Sequence, residues 1–277
     1  MGRPYAEVIG DPIAHSKSPL IHNFWLGKLG IDAEYRACHV RSGELADYFT
    51  RRRGDAEWFG CNVTVPHKER VAEYLDEVDN RASWVGAVNT VFRASNGQLI
   101  GTNTDVDGIA EAVSDLDLVG QDVCVIGSGG AARAAFQYLS EQRCAAVLVL
   151  ARDPDKALRV AKGFEIMAVG VPLKSGTTAL CEARLLINAT QLGMTGQDAM
   201  PGFILDELGE LDTDALVFDM VYVPLQTELL GATSKIGLRT ADGLTMLIGQ
   251  AAVAFEKFFG QPAPRQHDAE LRALLTA

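Results

Sequence analysis

The sequence predicts an α/β protein of two domains, and three observations carry that expectation. Strand and helix signals alternate along the whole 277-residue chain, a pattern that packs helices against parallel sheets. A buried strand, a glycine turn and a helix follow one another at "DVCVIGSGGAARAAFQYLS", the local order with which a doubly wound domain opens. The length suits two domains of ordinary size.

In the first part, strands are expected at 5–9, 34–40, 59–65 and 87–92, with a short strand at "QLIGTN". A helix should run from Ser18 to about Leu29, with Ser18 as N-cap, Pro19 in the first turn and Gly30 as terminator. Further helices are expected over about 42–53 and 67–75, and a helix over 104–116 leads into the second part. There the strand before the glycine turn is followed by strands at 146–150, 184–189 and 215–221. The last helix, about 243–259, is apolar on nearly every side and should be deeply packed. Residues 1–105 and 243–277 then form one domain and 106–242 the other, with the last helix returning to the first domain.

Hydrophobic residues make up 48% and charged residues 22% of the chain, the balance of a soluble globular protein. A net charge of −11 argues against nucleic acid or an anionic membrane surface as the main partner. It leaves room for a small anionic ligand, which needs only a local cluster of donors. The five cysteines, Cys38, Cys61, Cys124, Cys144 and Cys181, are scattered, without C-x-x-C or zinc spacing. They read as small apolar residues in a reducing compartment, and no metal is expected. The N-terminus lacks the apolar core of a secretory signal, and no apolar run approaches the roughly 18 residues of a membrane span. The cytoplasm is the expected compartment.

The glycine turn, Gly127, Ser128, Gly129, Gly130 and Ala131, has the context of a dinucleotide site. Glycine lets the backbone approach a pyrophosphate, and the helix N-terminus supplies unpaired N–H groups. The spacing is G-x-G-G rather than the full G-x-G-x-x-G, and such turns also serve as plain connectors. The next strand ends in Ala151-Arg152-Asp153, with Lys156 further on. An acidic residue at the strand end marks NAD, and an arginine accommodates the 2′-phosphate of NADP. Arg152 and Lys156 therefore favour NADP, with NAD as the weaker alternative. Asp153 is an unwelcome neighbour for that phosphate unless it points away; the alternative reading of this stretch is a solvated helix start, with Asp153 as N-cap ahead of Pro154.

Four polar groups mark the first part. "HSKSP" places Ser16 and Ser18 at a helix start, where two hydroxyls and the dipole could cradle a carboxylate. Capping alone explains Ser18 and leaves Ser16 unexplained. "CNVTVPHK" puts Asn62 and Thr64 on one strand face, with Lys68 just beyond. By itself Lys68 reads as a surface charge, and His67 and Glu69 as helix-start residues without a chemical role. "GAVNTVF" puts Asn89 at a strand's heart, where an unbonded amide is costly. Asp105 in "GTNTDVDG" opens a helix and by itself needs no role beyond complementing the dipole.

Taken together with "VIGDPIAHSKSPLIHN", "LINAT", "VFDMVYVPLQTELL" and "ADGLTMLIGQAA", these motifs resemble the shikimate dehydrogenase family along almost the whole chain and in order. The pairing of "NVTVPHK" with "NTD" is close to diagnostic. The resemblance implies NADPH-dependent reduction of 3-dehydroshikimate to shikimate, on the route to chorismate and the aromatic amino acids. It implies Lys68 and Asp105 as the catalytic pair, and Ser16 and Ser18 on the shikimate carboxylate. Asn62, Thr64, Asn89, Asp105 and Gln250 would hold the ring hydroxyls, with Tyr222 beside that site. Residues Gly127 to Ala131 would form the pyrophosphate loop, with Arg152 and Lys156 at the 2′-phosphate. Asn188 and Thr190 would lie near the nicotinamide ribose and Gly243 near the nicotinamide. In this reading the ammonium of Lys68 stabilises the developing alkoxide and supplies its proton, and the site is the cleft between the domains. Many members carry Asn-Arg-Thr where this chain has Ala151-Arg152-Asp153, and the retained arginine keeps NADP ahead. Two alternatives stand beside this reading: a quinate/shikimate dehydrogenase with mixed cofactor use, and a catalytically silent nucleotide-binding regulator, against which Lys68 and Asp105 speak. A homodimer stands beside a monomer as the assembly.

Overall fold

The computed structural model describes residues 2–174, 180 and 182–277, so Cys181 lies outside the described residues. The chain divides into two compact units, Met1–Thr104 with Gln250–Ala277, and Asp105–Gly249.

The first unit contains β1 (Tyr5–Gly10), α1 (Ser18–Leu29), β2 (Glu34–His39), α2 (Leu45–Arg53), β3 (Trp58–Val63), β4 (Glu77–Val78), α3 (Asn80–Val85), β5 (Thr90–Arg93) and β6 (Leu99–Thr102). Its sheet has the order β2-β1-β3-β5-β6-β4. Strand β1 is parallel to both neighbours, whereas β5 is antiparallel to β3 and to β6. The sheet is therefore mixed, not parallel as the alternation predicts. Five residues join β5 to β6, and so short a link can only return the chain antiparallel.

The second unit contains α4 (Asp105–Ala112), β7 (Asp122–Ile126), α5 (Gly130–Glu141), β8 (Ala146–Ala151), α6 (Pro154–Lys162), β9 (Ala168–Pro172), β10 (Leu185–Asn188), α7 (Gly202–Asp206), β11 (Leu216–Asp219), α8 (Glu228–Lys235) and β12 (Arg239–Asp242). All its strand pairs are parallel, in the order β12-β11-β10-β7-β8-β9. That is the doubly wound Rossmann order, with its switch point between β7 and β10. Strand β7 runs "DVCVI", and Val123 to Ile126 are fully buried, as a central strand covered on both faces requires. Alanines at 132, 134 and 135 let α5 lie close on the sheet. Strands β9 and β12, not expected from the sequence, are the two edges, where half-exposure blurs the apolar pattern.

Helix α9 (Gly243–Phe259) is followed by α10 (Asp268–Thr276), and the division between units falls inside α9. Of its 17 residues only Glu256 and Lys257 are exposed. Phe255 meets the Trp25 ring of α1 edge-on at 5.5 Å, and Phe258 lies 6.2 Å from Tyr35, so the C-terminal part of α9 is core of the first unit. Each such aromatic burial contributes on the order of 1.5–3 kcal/mol.

Four expected elements differ. Residues 67–75 form no α-helix: a turn leads to a single 3-10 turn at Val71–Tyr74. His67 is fully buried with its Nε2 2.6 Å from the Val40 carbonyl, and Asp76 already bonds Leu99, which leaves too little chain for α-helical turns. Helix α2 is preceded by a 3-10 turn at Ser42–Glu44, and α4 ends at Ala112, short of the expected residue 116. Ser18 is the first helical residue rather than the N-cap, which is Lys17.

Beneath the first sheet, Glu7 of β1 is buried and accepts from Arg36 at 3.0 Å, from Arg52 at 2.8 and 2.9 Å, and from Tyr48 at 2.8 Å. Two guanidiniums and a phenol satisfy a carboxylate that would otherwise be too costly to bury. On the other side of β3, Gly60 faces the Val91 carbonyl, and a Cβ there would also sit 2.7 Å from the Phe258 ring. Gly60→Ala should therefore destabilise the protein by roughly 2 kcal/mol or more in chemical denaturation, while Gly43→Ala, with open space around it, should change stability little.

Candidate active site

The polar residues of the first unit gather where β3, β5 and β6 end. Asn62, the penultimate residue of β3, accepts a 2.6 Å bond from the Tyr35 hydroxyl and donates to Thr90 Oγ1 at 2.9 Å. Asn89 does not lie at the heart of a strand but immediately before β5. Its Oδ1 accepts from Thr90 Oγ1 at 3.0 Å and from the Thr104 amide at 2.8 Å, and its Nδ2 donates to Thr104 Oγ1 at 3.1 Å. Thr104 Oγ1 in turn donates to Gln250 Oε1 at 3.4 Å. Three of the carboxamides singled out from the sequence are thus joined through two fully buried hydroxyls, Thr90 and Thr104, that sequence reasoning passed over. The available signal was their position: each directly follows or precedes a flagged polar residue in "NT" and "TD".

Thr64 lies one residue past the end of β3, half-buried, with its amide still bonded to Ile9. The Val65–Pro66 peptide is cis. Lys68 follows in the turn, half-buried, and its carbonyl accepts from the Val88 amide at 2.8 Å. His67, expected to be a helix-start residue without a chemical role, is instead buried as the anchor beneath this turn. Asp105 is the next residue after Thr104 and opens α4.

At the start of α1 the serines exchange their expected roles. Ser16 Oγ accepts from the Ser18 amide at 3.3 Å, while Ser18 Oγ makes no capping bond. Ser18 and His22 share one face of the helix by i, i+4 spacing. His22 stacks on Tyr35 with centroids 4.0 Å apart and planes 5° from parallel.

In the second unit the glycine turn leaves β7 at the switch point. Gly127 adopts φ +112°, and a Cβ there would meet Thr190 Cγ2 at 2.8 Å. A Cβ at Gly129 or Gly130 would meet no protein atom within 4 Å. The chain itself does not need glycine at those two positions; their bareness leaves space for another molecule. Ser128 and Ala131 are half-buried beside them. Helix α5 has no side-chain N-cap, so its first N–H groups face that space uncapped. These features fit a pyrophosphate.

Asn188 is fully buried, and its amide is spent inside the chain. It accepts from the Thr190 hydroxyl at 2.6 Å and amide at 3.1 Å, and donates to Leu192 at 3.1 Å and Asp219 at 2.9 Å. Asp219, absent from the sequence expectations, also accepts from Thr227 at 2.6 Å and from the Val221 amide at 3.0 Å, and burial pushes its carboxyl above the usual range. Asn188 and Asp219 therefore hold the loop bearing Thr190 to the one bearing Tyr222. Tyr222 is half-buried, and burial raises its phenol. A Cβ on Gly243 would collide with the Met220 carbonyl and approach that of Val221, so glycine lets the start of α9 sit against this loop. After β8, Arg152 and Lys156 are exposed. Asp153 caps α6, its Oδ1 accepting from the Lys156 amide at 2.9 Å. Its charge is directed onto the helix N-terminus.

Among the described residues no group of His, Cys, Asp or Glu could hold a metal ion, and no helix is long and apolar enough to cross a membrane. A doubly wound sheet with a bare glycine turn at its switch point, joined to an α/β unit with a buried carboxamide cluster, defines a dinucleotide-binding α/β protein of the dehydrogenase type. Family models agree on the kind: residues 8–91 match the shikimate dehydrogenase substrate binding domain, 109–194 the shikimate/quinate 5-dehydrogenase model, and 243–270 the shikimate 5'-dehydrogenase C-terminal domain. The chain is 50% identical over 274 residues to the shikimate dehydrogenase (NADP(+)) of Sphingopyxis alaskensis, covering 99% of this chain and 97% of that one. It is 34% identical to the Thermus thermophilus shikimate 5-dehydrogenase in complex with NADP(H) and shikimate, with a TM-score of 0.84 over 98% of this chain and 99% of that one. It is also similar to a ligand-free 5-ketofructose reductase of Gluconobacter, at 29% identity and a TM-score of 0.87 over 99% of both chains. The chain belongs to the shikimate dehydrogenase family.

Asp153→Ala should cost about 1 kcal/mol of stability through the lost cap, while Asp153→Ser and Asp153→Asn should retain most of it; thermal denaturation of the three variants reads the difference.

Proposed function

We propose that this protein reduces 3-dehydroshikimate to shikimate with NADPH, with Lys68 as the proton donor and Asp105 as its partner carboxylate. The observation that carries the reading is the short backbone and side-chain path joining them. The Lys68 carbonyl holds Val88, Asn89 follows Val88, and Asn89 holds both the amide and the hydroxyl of Thr104, which Asp105 follows.

NADPH, when bound, supplies the hydride that reduces the ring ketone. The chain's own groups then have two tasks. The Lys68 ammonium faces the oxygen on which charge develops, stabilises it and gives up a proton, so that a neutral hydroxyl results. Asp105 orients that ammonium and accepts from the neighbouring ring hydroxyl. Asn62, Thr64, Asn89 and Gln250 bind the ring hydroxyls, with Tyr222 beside them. Ser16, Ser18 and the N-terminus of α1 take the carboxylate. This last feature favours shikimate over 5-ketofructose, which has no carboxylate for the two serines to hold.

Gly127, Ser128, Gly129, Gly130 and Ala131 take the pyrophosphate. Arg152 and Lys156 take the 2′-phosphate of NADP, supported by the turn of Asp153 onto the α6 backbone. Thr190, positioned by Asn188, lies toward the nicotinamide ribose and Gly243 toward the nicotinamide. The four described cysteines are free, which supports a reducing, cytoplasmic setting. A homodimer is carried as the assembly, decided by whether the particle in solution has one or two times the 29.8 kDa of the chain.

Initial rates with shikimate and quinate, each with NADP and NAD, should be best for shikimate with NADP by a wide margin, and 5-ketofructose should be a poor substrate for reduction by NADPH. Preference for quinate, or equal use of NAD, would replace the reading with a mixed-specificity enzyme. No turnover with any pair would favour a silent regulator. Lys68→Ala should lower kcat by about 10²–10⁴, and near-full turnover would remove Lys68 from the chemistry.

A further inference from the structure

The hydrogen bonds that join Asn62 and Asn89 share a single direction. The Tyr35 hydroxyl has one proton and places it on Asn62 Oδ1 at 2.6 Å. That forces Asn62 Nδ2 toward Thr90, whose Oγ1 accepts at 2.9 Å. Thr90, having accepted, has its own proton for Asn89 Oδ1 at 3.0 Å. Asn89 Nδ2 then donates to Thr104 Oγ1 at 3.1 Å, and the Thr104 hydroxyl has two acceptors within reach, Asn89 Oδ1 at 3.3 Å and Gln250 Oε1 at 3.4 Å. Asn62 and Asn89 each receive at the oxygen and give from the nitrogen, and the Thr90 and Thr104 hydroxyls also lie 3.2 Å from one another.

The head of the chain is held firmly. Tyr35 is buried, and desolvation raises its phenol well above the usual value, so the proton stays in place. Its ring stacks on His22, which burial keeps neutral with a pKa pushed down to about 3. Both ring nitrogens of His22 lack a hydrogen-bond partner, so this histidine acts as a flat packing surface. The backbone of Tyr35 is clamped at both ends by Asn23, which accepts from its amide at 2.9 Å and donates to its carbonyl at 2.6 Å.

We propose that Tyr35 and Thr90 are positioning residues that set which end of the Asn62 carboxamide faces the substrate, Tyr35 by donating to its oxygen and Thr90 by accepting from its nitrogen. The inference rests on the reading of Asn62 as a substrate-binding amide. A carboxamide that turns over exchanges a donor for an acceptor without changing its shape. Without the Tyr35 proton, Asn62 can present its oxygen to Thr90. Thr90 would then donate to Asn62 instead of Asn89, and the reversal stops there, because the Thr104 amide, a donor only, holds Asn89 Oδ1 in place at 2.8 Å. The loss appears in substrate recognition, since the hydride donor and Lys68 are untouched.

The test is steady-state kinetics of Tyr35→Phe, Thr90→Val and Thr90→Ser, with melting temperatures measured in parallel. Tyr35→Phe and Thr90→Val should each raise KM for shikimate about tenfold, the scale of one net hydrogen bond. KM for NADP should stay within about twofold, and Thr90→Ser, which keeps the hydroxyl, should restore shikimate KM. The double variant Tyr35→Phe/Thr90→Val should be less than additive, because both changes free one carboxamide. Unchanged shikimate KM in both single variants, equal rises in the two KM values, or strict additivity would each overturn the proposal. Asn62→Ala separates it from the reading on which it rests. If Asn62→Ala raises shikimate KM and neither Tyr35→Phe nor Thr90→Val does, the positioning role fails alone. If Asn62→Ala also leaves it unchanged, Asn62 does not bind substrate and both fail.

Discussion

A carboxamide removed from water must find partners at both its oxygen and its nitrogen, at a cost of several kcal/mol if it does not. Asn62 and Asn89 meet that requirement with atoms from separate stretches of the first unit: the end of β3, the start of β5 and the link that follows β6. Satisfying Asn89 alone brings Thr90 and Thr104 to one point. Because Lys68 is bonded through Val88 and Asp105 directly follows Thr104, the same requirement helps set where Lys68 and Asp105 leave the backbone.

The second unit uses the same device with a charge in it. Asp219 is kept buried by Asn188, Thr227 and the Val221 amide, and this ties together loops at the carboxyl ends of β10 and β11. A ligand at the switch point of a doubly wound sheet meets those loops. Glycines 127 and 243 complete the arrangement by steric means, each where a side chain would strike a neighbouring segment. In both units buried polar atoms hold the loops at the carboxyl ends of the strands or beside them in place.

Away from those loops, the core is fastened by interactions of other kinds. Glu7 beneath β1 is neutralised by Arg36 and Arg52, and Arg52 also stacks 5.0 Å over Tyr48. Helix α9 brings Phe255 and Phe258 against the His22–Trp25–Tyr35 group. That aromatic group backs the Tyr35 hydroxyl, so the apolar packing of the C-terminal segment supports a hydrogen bond at the site.

The sequence by itself determined the elements whose signals are local. The glycine turn after an apolar strand, the cap at Asp153 before Pro154 and the stop at Gly30 all depend on neighbours within a few residues, and all appear where expected. The apolar girdle of α9 likewise announced its burial. Residue type also singled out Asn62 and Asn89, because polar groups in apolar surroundings need a reason, whereas Lys68 and Asp105 stood out only through the family resemblance. Only the tertiary structure decided how those residues are used. Ser16 rather than Ser18 takes the first helix amide, His67 points inward to Val40, and Thr90, Thr104 and Tyr35 connect the amides. Tyr35 and Asn62 are 27 residues apart in the chain, and Thr104 and Gln250 are 146 apart. A hydrogen bond depends on distance and direction in space, and no local pattern encodes which distant acceptor a hydroxyl will meet.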